Sequence, residues 1–213
     1  MKKTIDVVLR SCGTDATPLE IAQAAASQAG VARVELNLVV PASERASRHH
    51  WPECEDGFAA VVMSWSDDDS SLARFDPGVW RFTVTEHVGI DNRLDVDQAT
   101  GHTIGVKHVA LLCSTVPAEE FIEHYRHHVV LVEEHMPGMH RYVQNNVVNC
   151  TPESCRPIVG ISELSFTSPE AYEHRYVAGA RGAADFRANE GFLDLRRSIN
   201  MQVVERTVLD DLR

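Results

Sequence analysis

The stretch VKHVALLCSTVPAEEFIEHYRHHVVLVEEHMPGMHRYVQNNVV, Val106 to Val148, reads as strand, long helix, strand. Val106 to Cys113 is an apolar run of strand length that is β-branched at its start. Thr115–Val116–Pro117 opens a helix with proline in the first turn, and Glu119 and Glu120 complement the positive end of the helix dipole. Phe121, Ile122, Tyr125, Val129 and Val132 recur at about the helical period and predict the buried stripe. Pro137–Gly138 ends the helix. Met139 to Val148 then alternates along a second strand, which puts Tyr142, Gln144 and Asn146 on one face.

Toward the N-terminus, Ile5 to Cys12 predicts a strand, and Thr17–Pro18–Leu19–Glu20 is a capping box with proline at the first helical position. That helix runs to about Ala29, where Gly30 stops it. Val31 to Val40 is a strand, Pro41 to Gly57 a polar loop and Phe58 to Ser66 a third strand. Asp67 to Asp69 cap a short helix ending near Phe75, and Trp80 to Gly89 is a fourth strand. This βαββαβ order is the ferredoxin-like arrangement. The polar segment Asp91 to Gly105 separates it from a second half with the same order. There an extra helix is predicted over Asp185 to Arg197, before a last strand, Ile199 to Val208.

The halves can be overlaid. Gly30–Val34 lies on Gly138–Tyr142, Met63–Ser66 on Leu164–Thr167, and Glu86 on Glu205; Val62 then falls on Glu163. The expected fold is α+β, with two tandem ferredoxin-like repeats: residues 1–90, a linker over 91–104, and 105–213. Each four-stranded sheet carries helices on one face only, so its other face must be buried by a partner. A tandem chain can supply both sheets.

Composition narrows the function classes. A formal net charge of −11 over 213 residues leaves no basic face to neutralise phosphates, which excludes an ordinary nucleic-acid binder. No apolar run is long enough to span a membrane, and Met1–Lys2–Lys3 leads straight into a strand. Five scattered cysteines without CxxC pairs suit free thiols, and the expected location is the cytoplasm.

The EEF helix start, the aromatic and histidines in mid-helix, and PG-x-x-RYVQN-x-V resemble the EthD domain, as does the later GISELSFTSPEAY, Gly160 to Tyr172. That domain belongs to the dimeric α+β barrel superfamily, together with muconolactone isomerases and small cofactor-free oxygenases. The resemblance implies that two sheets pack face to face into a barrel, here a pseudo-dimeric one within one chain. It also implies a site between a sheet and its long helix, with a helix histidine and the tyrosine after the PG turn as the functional pair. Tyr142 takes the tyrosine position; the family's histidine falls on Val129, and His128 is the neighbouring candidate, with His127 beside it and His124 one turn back. Glu163 matches a glutamate of the third strand and would orient the histidine or act as the base. His108, Tyr125, His124 and Gln144 are candidate substrate-binding groups.

Imidazole can exchange a proton near neutrality, and a phenol can hydrogen-bond a developing enolate. The expected activity is proton transfer on a small aromatic-derived or lactone-like acid, in catabolism or polyketide processing. A cofactor-free lyase or isomerase of decarboxylase, dehydratase or lactone-isomerase type is the first reading. A cofactor-independent monooxygenase and a non-catalytic binding or accessory protein are the alternatives. His124 and His128 at i, i+4 lack a complete metal-ligand set, so neither metal nor cofactor is expected. Any homodimer is expected to form outside the barrel, and only the second half is expected to carry a site.

Overall fold

The computed structural model describes residues 1–10, 16–41, 57–67, 78–92, 105–155 and 157–211. Strands β1 (Lys2–Leu9), β2 (Val31–Val39), β3 (Phe58–Ser66) and β4 (Val79–Asp91) come first, with helix α1 (Pro18–Ala26) between β1 and β2. They are followed by β5 (Val106–Cys113), α2 (Ala118–His135), β6 (Met139–Thr151), β7 (Ile158–Phe166), α3 (Pro169–Glu173), α4 (Gly179–Ala188) and β8 (Ile199–Asp210). The eight strands close one antiparallel barrel in the order β1-β3-β2-β8-β5-β7-β6-β4. Two seams, β4 with β6 and β2 with β8, join the strands before the segment 93–104 to those after it.

Side-chain alternation splits every strand between the barrel interior and an outer face. Ile5, Val7, Val61, Met63, Phe82, Leu111, Ile161 and Met201 fill part of the interior with apolar groups. On the outer face, α1 lays Ala22 and Ala25 over Val34, Leu36 and Val62, an entirely aliphatic contact. α2 covers β6 and β7 through Phe121, Tyr125 and Val132, a cluster far richer in aromatic rings.

The rest of the interior is charged. Lys3 is 2% exposed and reaches both Glu86 and Glu163 at 2.5 Å. Lys107 pairs with Glu205, lies 3.1 Å from Glu163 and 3.6 Å from Glu35, and Arg33 pairs with Glu35. Arg141 stands 3.6 Å from Glu163. Four cations therefore face four carboxylates in a largely buried network, an arrangement that is tolerable only because each cation has a carboxylate beside it.

Several expectations need correction. The buried stripe of α2 is Phe121, Tyr125, His128 and Val132, while Ile122 and Val129 are only half-buried. The extra helix lies earlier than expected, over Gly179–Ala188; residues after Asn189 run as turns and bridge back through Leu193 to Ser114. β1 starts before Ile5 and ends at Leu9. Register also shifts the overlay of the halves by one residue. Val34 pairs with Ser64 and Tyr142 with Leu164, so Met63, not Val62, takes the position of Glu163. The helix expected to end near Phe75 and most of the 91–104 linker lie outside the described residues.

Candidate active site

α2 packs across β6 and β7 because its buried stripe repeats at the helical period while the strands offer alternate residues. Where the two meet, small residues on β7 make room. A β-carbon on Gly160 would stand 2.8 Å from Phe121 Cζ and 3.2 Å from Tyr125 Cε1, so glycine lets the helix lie close to the strand. Further along, α2 and the sheet diverge around a cavity of about 390 Å³. Its walls are mostly apolar, with Leu112, Val132, Met136, Leu164, Phe166, Phe186 and Leu193 among them. A pocket of this size that is dry except for a few convergent polar groups is the usual form of a small-molecule site.

The polar groups are connected. His128 Nδ1 lies 3.2 Å from the Tyr142 hydroxyl, with both residues buried. Gln144 donates from Nε2 to the Tyr142 oxygen at 3.2 Å and also to the Tyr125 backbone carbonyl. A carbonyl only accepts, so the amide nitrogen must face this way and the phenol oxygen must be the acceptor from Gln144. The phenol proton has two acceptors within reach, His128 Nδ1 and Ser162, which also bonds the Tyr142 hydroxyl. With that proton on the Nδ1 side, His128 carries its own on Nε2, which faces Glu190 Oε1 at 3.5 Å. The Tyr125 hydroxyl is bonded to Ser162 Oγ at 2.7 Å.

Burial sets the protonation of the phenols. Tyr142 is pushed up to about 12, mainly by burial, against the opposing hydrogen bonds of Gln144 and Ser162. Tyr125 is pushed well above its ordinary value, first by burial and then by Tyr142. Both are neutral donors at physiological pH.

Of the residues singled out in the sequence, His128, Tyr142, Tyr125 and Gln144 converge here. Glu163 does not. Tyr142 pairs directly with Leu164, so the adjacent Glu163 must face the other way, and it sits in the barrel interior with Lys3 and Lys107. Burial raises its pKa, but Lys3, Lys107 and Arg141 overcome this and hold it well below the usual carboxylate range. It is a fixed anion on the far side of the sheet and cannot orient His128. His124 is exposed, stacked on Phe192 at 5.5 Å between ring centroids and 3.5 Å from Glu120. His108 is on the outer sheet face but stacks on Tyr172 at 4.2 Å, beside the cavity rather than among the residues that line it. Among the described residues no group of three or more His, Cys, Asp or Glu is arranged to hold a metal.

Glu190, Arg175 and Phe186 were missed. They arrive on α4 and its flanking turns, where no periodic pattern announces them. The pairing that marks Glu190 is visible only once α4 and the turn after it are folded against α2.

No family model matches the chain, and no curated protein matches it. Solved structures do. An anthrone oxidase-like protein superposes with a TM-score of 0.61 at 9% identity, over 99% of this chain and 95% of its own. A protein from Lactobacillus acidophilus NCFM described as a candidate monooxygenase gives 0.52 at 8% identity, over 99% and 96%. Another from Fusobacterium nucleatum gives 0.51 at 10% identity, over 96% and 93%. These similarities concern the fold alone, an eight-stranded antiparallel α+β barrel. No helix among the described residues is long and apolar enough to cross a membrane.

Proposed function

We propose that the chain is an enzyme that removes a proton from an activated carbon of a small aromatic-derived or lactone-like molecule, in the cavity beneath α2. The observation that carries this is the Glu190–His128–Tyr142 line opening on a mostly apolar pocket. His128 Nδ1 takes the substrate proton, and Glu190 stabilises the imidazolium that results through Nε2–H. Tyr142 turns its proton from Nδ1 to the oxygen on which the negative charge develops. Its high pKa keeps that proton available.

Two fates are then open to the resulting enolate. Reprotonation or loss of a group gives the isomerase or lyase reading. Attack on dioxygen, which forms a C–O bond, followed by O–O cleavage with loss of water to leave a carbonyl at that carbon, gives a monooxygenase that needs no bound cofactor. The descriptions of the structural neighbours as monooxygenases and as anthrone oxidase-like favour the second. A purely accessory role fits less well, because a binding protein has no need of a carboxylate–imidazole–phenol line.

We read the two halves as a duplicated ferredoxin-like unit related to the EthD domain, 1–90 and 105–213. Lys3 and Lys107, Arg33 and Arg141, Asn37 and Asn145, and Glu86 and Glu205 hold matching register positions, which supports duplication. Any homodimer would use surfaces outside the closed barrel.

The test uses anthrone and its 2-carboxylic acid, whose methylene protons are acidified by the ketone. In deuterated buffer under argon the protein should catalyse exchange at that carbon, and His128→Ala should abolish the catalysis. Oxygen uptake in air separates the two fates. Exchange that is unaffected by His128→Ala would refute the assignment.

A further inference from the structure

Two cations that the proton-transfer line does not use also line the cavity, Arg175 and Arg187, and of these Arg187 is exposed. Arg175 is 9% exposed and lines the cavity. Nη1 donates to the Tyr172 backbone carbonyl at 2.8 Å, and Cζ lies over two rings, 4.3 Å from the centroid of Tyr172 and 4.8 Å from that of Tyr176. No carboxylate pairs with it among the described residues. The other buried arginine near the sheet, Arg141, shows the contrast, since it has Glu163 at 3.6 Å. A guanidinium carries five N–H donors in a planar fork. Stacking on tyrosines offsets part of its desolvation but satisfies no donor in the plane of the fork.

We infer that Arg175 is the anchor for an anionic group, a carboxylate or an ionised phenol, on the substrate of this site. The inference rests on the cavity being the substrate site, as proposed above, and names the chemical class it takes. A planar carboxylate matches the guanidinium fork edge-on, through the N–H donors that the ring contacts do not satisfy. Position agrees with this. Tyr176 packs on Phe186 at 5.5 Å and Phe186 on His128 at 5.0 Å, so a line of ring contacts links the arginine to the base. Glu190 beside His128 repels an anion from that end. The cavity is thus polarised: the anion is held at Arg175, the apolar body lies against Phe186 and Leu193, and the reacting carbon is presented to His128. A charge held away from the base also leaves the acidity of that carbon intact.

Calorimetric titration with 2-naphthoate and with its neutral counterpart 2-naphthylmethanol tests this on the full chain. The wild type should bind the carboxylate on the order of 10- to 100-fold more tightly than the alcohol, the range expected for a charge-assisted hydrogen-bonded pair. Arg175→Met should abolish that preference and leave alcohol binding unchanged, which also shows that the variant is folded. Arg175→Lys should retain part of the preference. Equal affinity of the wild type for the two probes would overturn the inference while leaving the pocket standing. A preference that survives in Arg175→Met would do the same. Failure of both probes to bind would sink the pocket reading, and this inference with it. His128→Ala should leave the preference intact, so loss of catalysis and loss of anion selectivity are read independently.

Discussion

Glu163→Gln removes one carboxylate from the barrel interior and leaves Lys3, Lys107 and Arg141 short of a counter-charge. Lys3 retains Glu86, and Lys107 retains Glu205. The cost should therefore fall at the lower end of the 3–5 kcal/mol typical of a broken buried pair, about 3 kcal/mol. For a chain of this size that corresponds to a drop in Tm of about 6–12 °C. The sign of the pH dependence follows from the carboxyl's position. Lys3, Lys107 and Arg141 hold its pKa well below the ordinary 4.5 despite burial. Its stabilisation is fully present above pH 4.5 and is lost as pH falls through the lower folded value. The deficit of Glu163→Gln should be complete at pH 7 and shrink below about pH 4.5. Glu35→Gln is the control. Burial, then Glu205, raise that carboxyl against the pull of Lys107 and Arg33, so its ionisation weakens the fold as pH rises above 4.5. Relative to wild type, Glu35→Gln should gain stability toward neutral pH. Thermal unfolding followed by circular dichroism at pH 7 and pH 4 measures both variants. Equal Tm losses at pH 7, or a Glu163→Gln deficit that grows on acidification, would refute the assignment of Glu163 as a fixed structural anion.

Other outcomes can be checked alongside. Tyr142→Phe removes a hydroxyl bonded to Gln144 and His128 and should cost about 1 kcal/mol in chemical denaturation while cutting turnover far more. Because the Tyr142 phenol is pushed up to about 12, the pH–rate profile should show no phenol ionisation at pH 10 or below; an inflection there that disappears in Tyr142→Phe would contradict this. His128→Ala should slow the reaction on the order of 10²-fold or more, and Glu190→Gln by a smaller factor with KM unchanged, as rate assays on one substrate will show. Gly160→Ala should destabilise by about 1–3 kcal/mol through the clash with Phe121, measured by urea unfolding.

The strands were legible because β-branched and apolar runs bounded by turn residues have few other solutions, and Phe58–Ser66 and Val106–Cys113 match their expected bounds. Closure into a barrel followed from the need of each sheet to bury its second face. The errors have a common cause. Apolar periodicity treats His128 as a solvent residue, so the stripe was drawn through Val129, although imidazole buries well when its nitrogens face a phenol and a carboxylate. Glu163 was set on the wrong side because face depends on a one-residue register, which alternation alone does not fix. Glu190 and Arg175 reach the cavity from turns around α4, where glycines at 179, 182 and 191 interrupt any pattern. Gly182 has its own reason, since a β-carbon there would meet the Val177 carbonyl at 1.6 Å.

The most direct measurement is a crystal structure of the protein with 2-naphthoate. The ring should lie between α2 and the β6–β7 surface, in contact with His128 and Tyr142, with its carboxylate on Arg175. A naphthoate found in the barrel interior among Lys3, Lys107 and Arg141, or on the outer face beneath α1, would contradict the site.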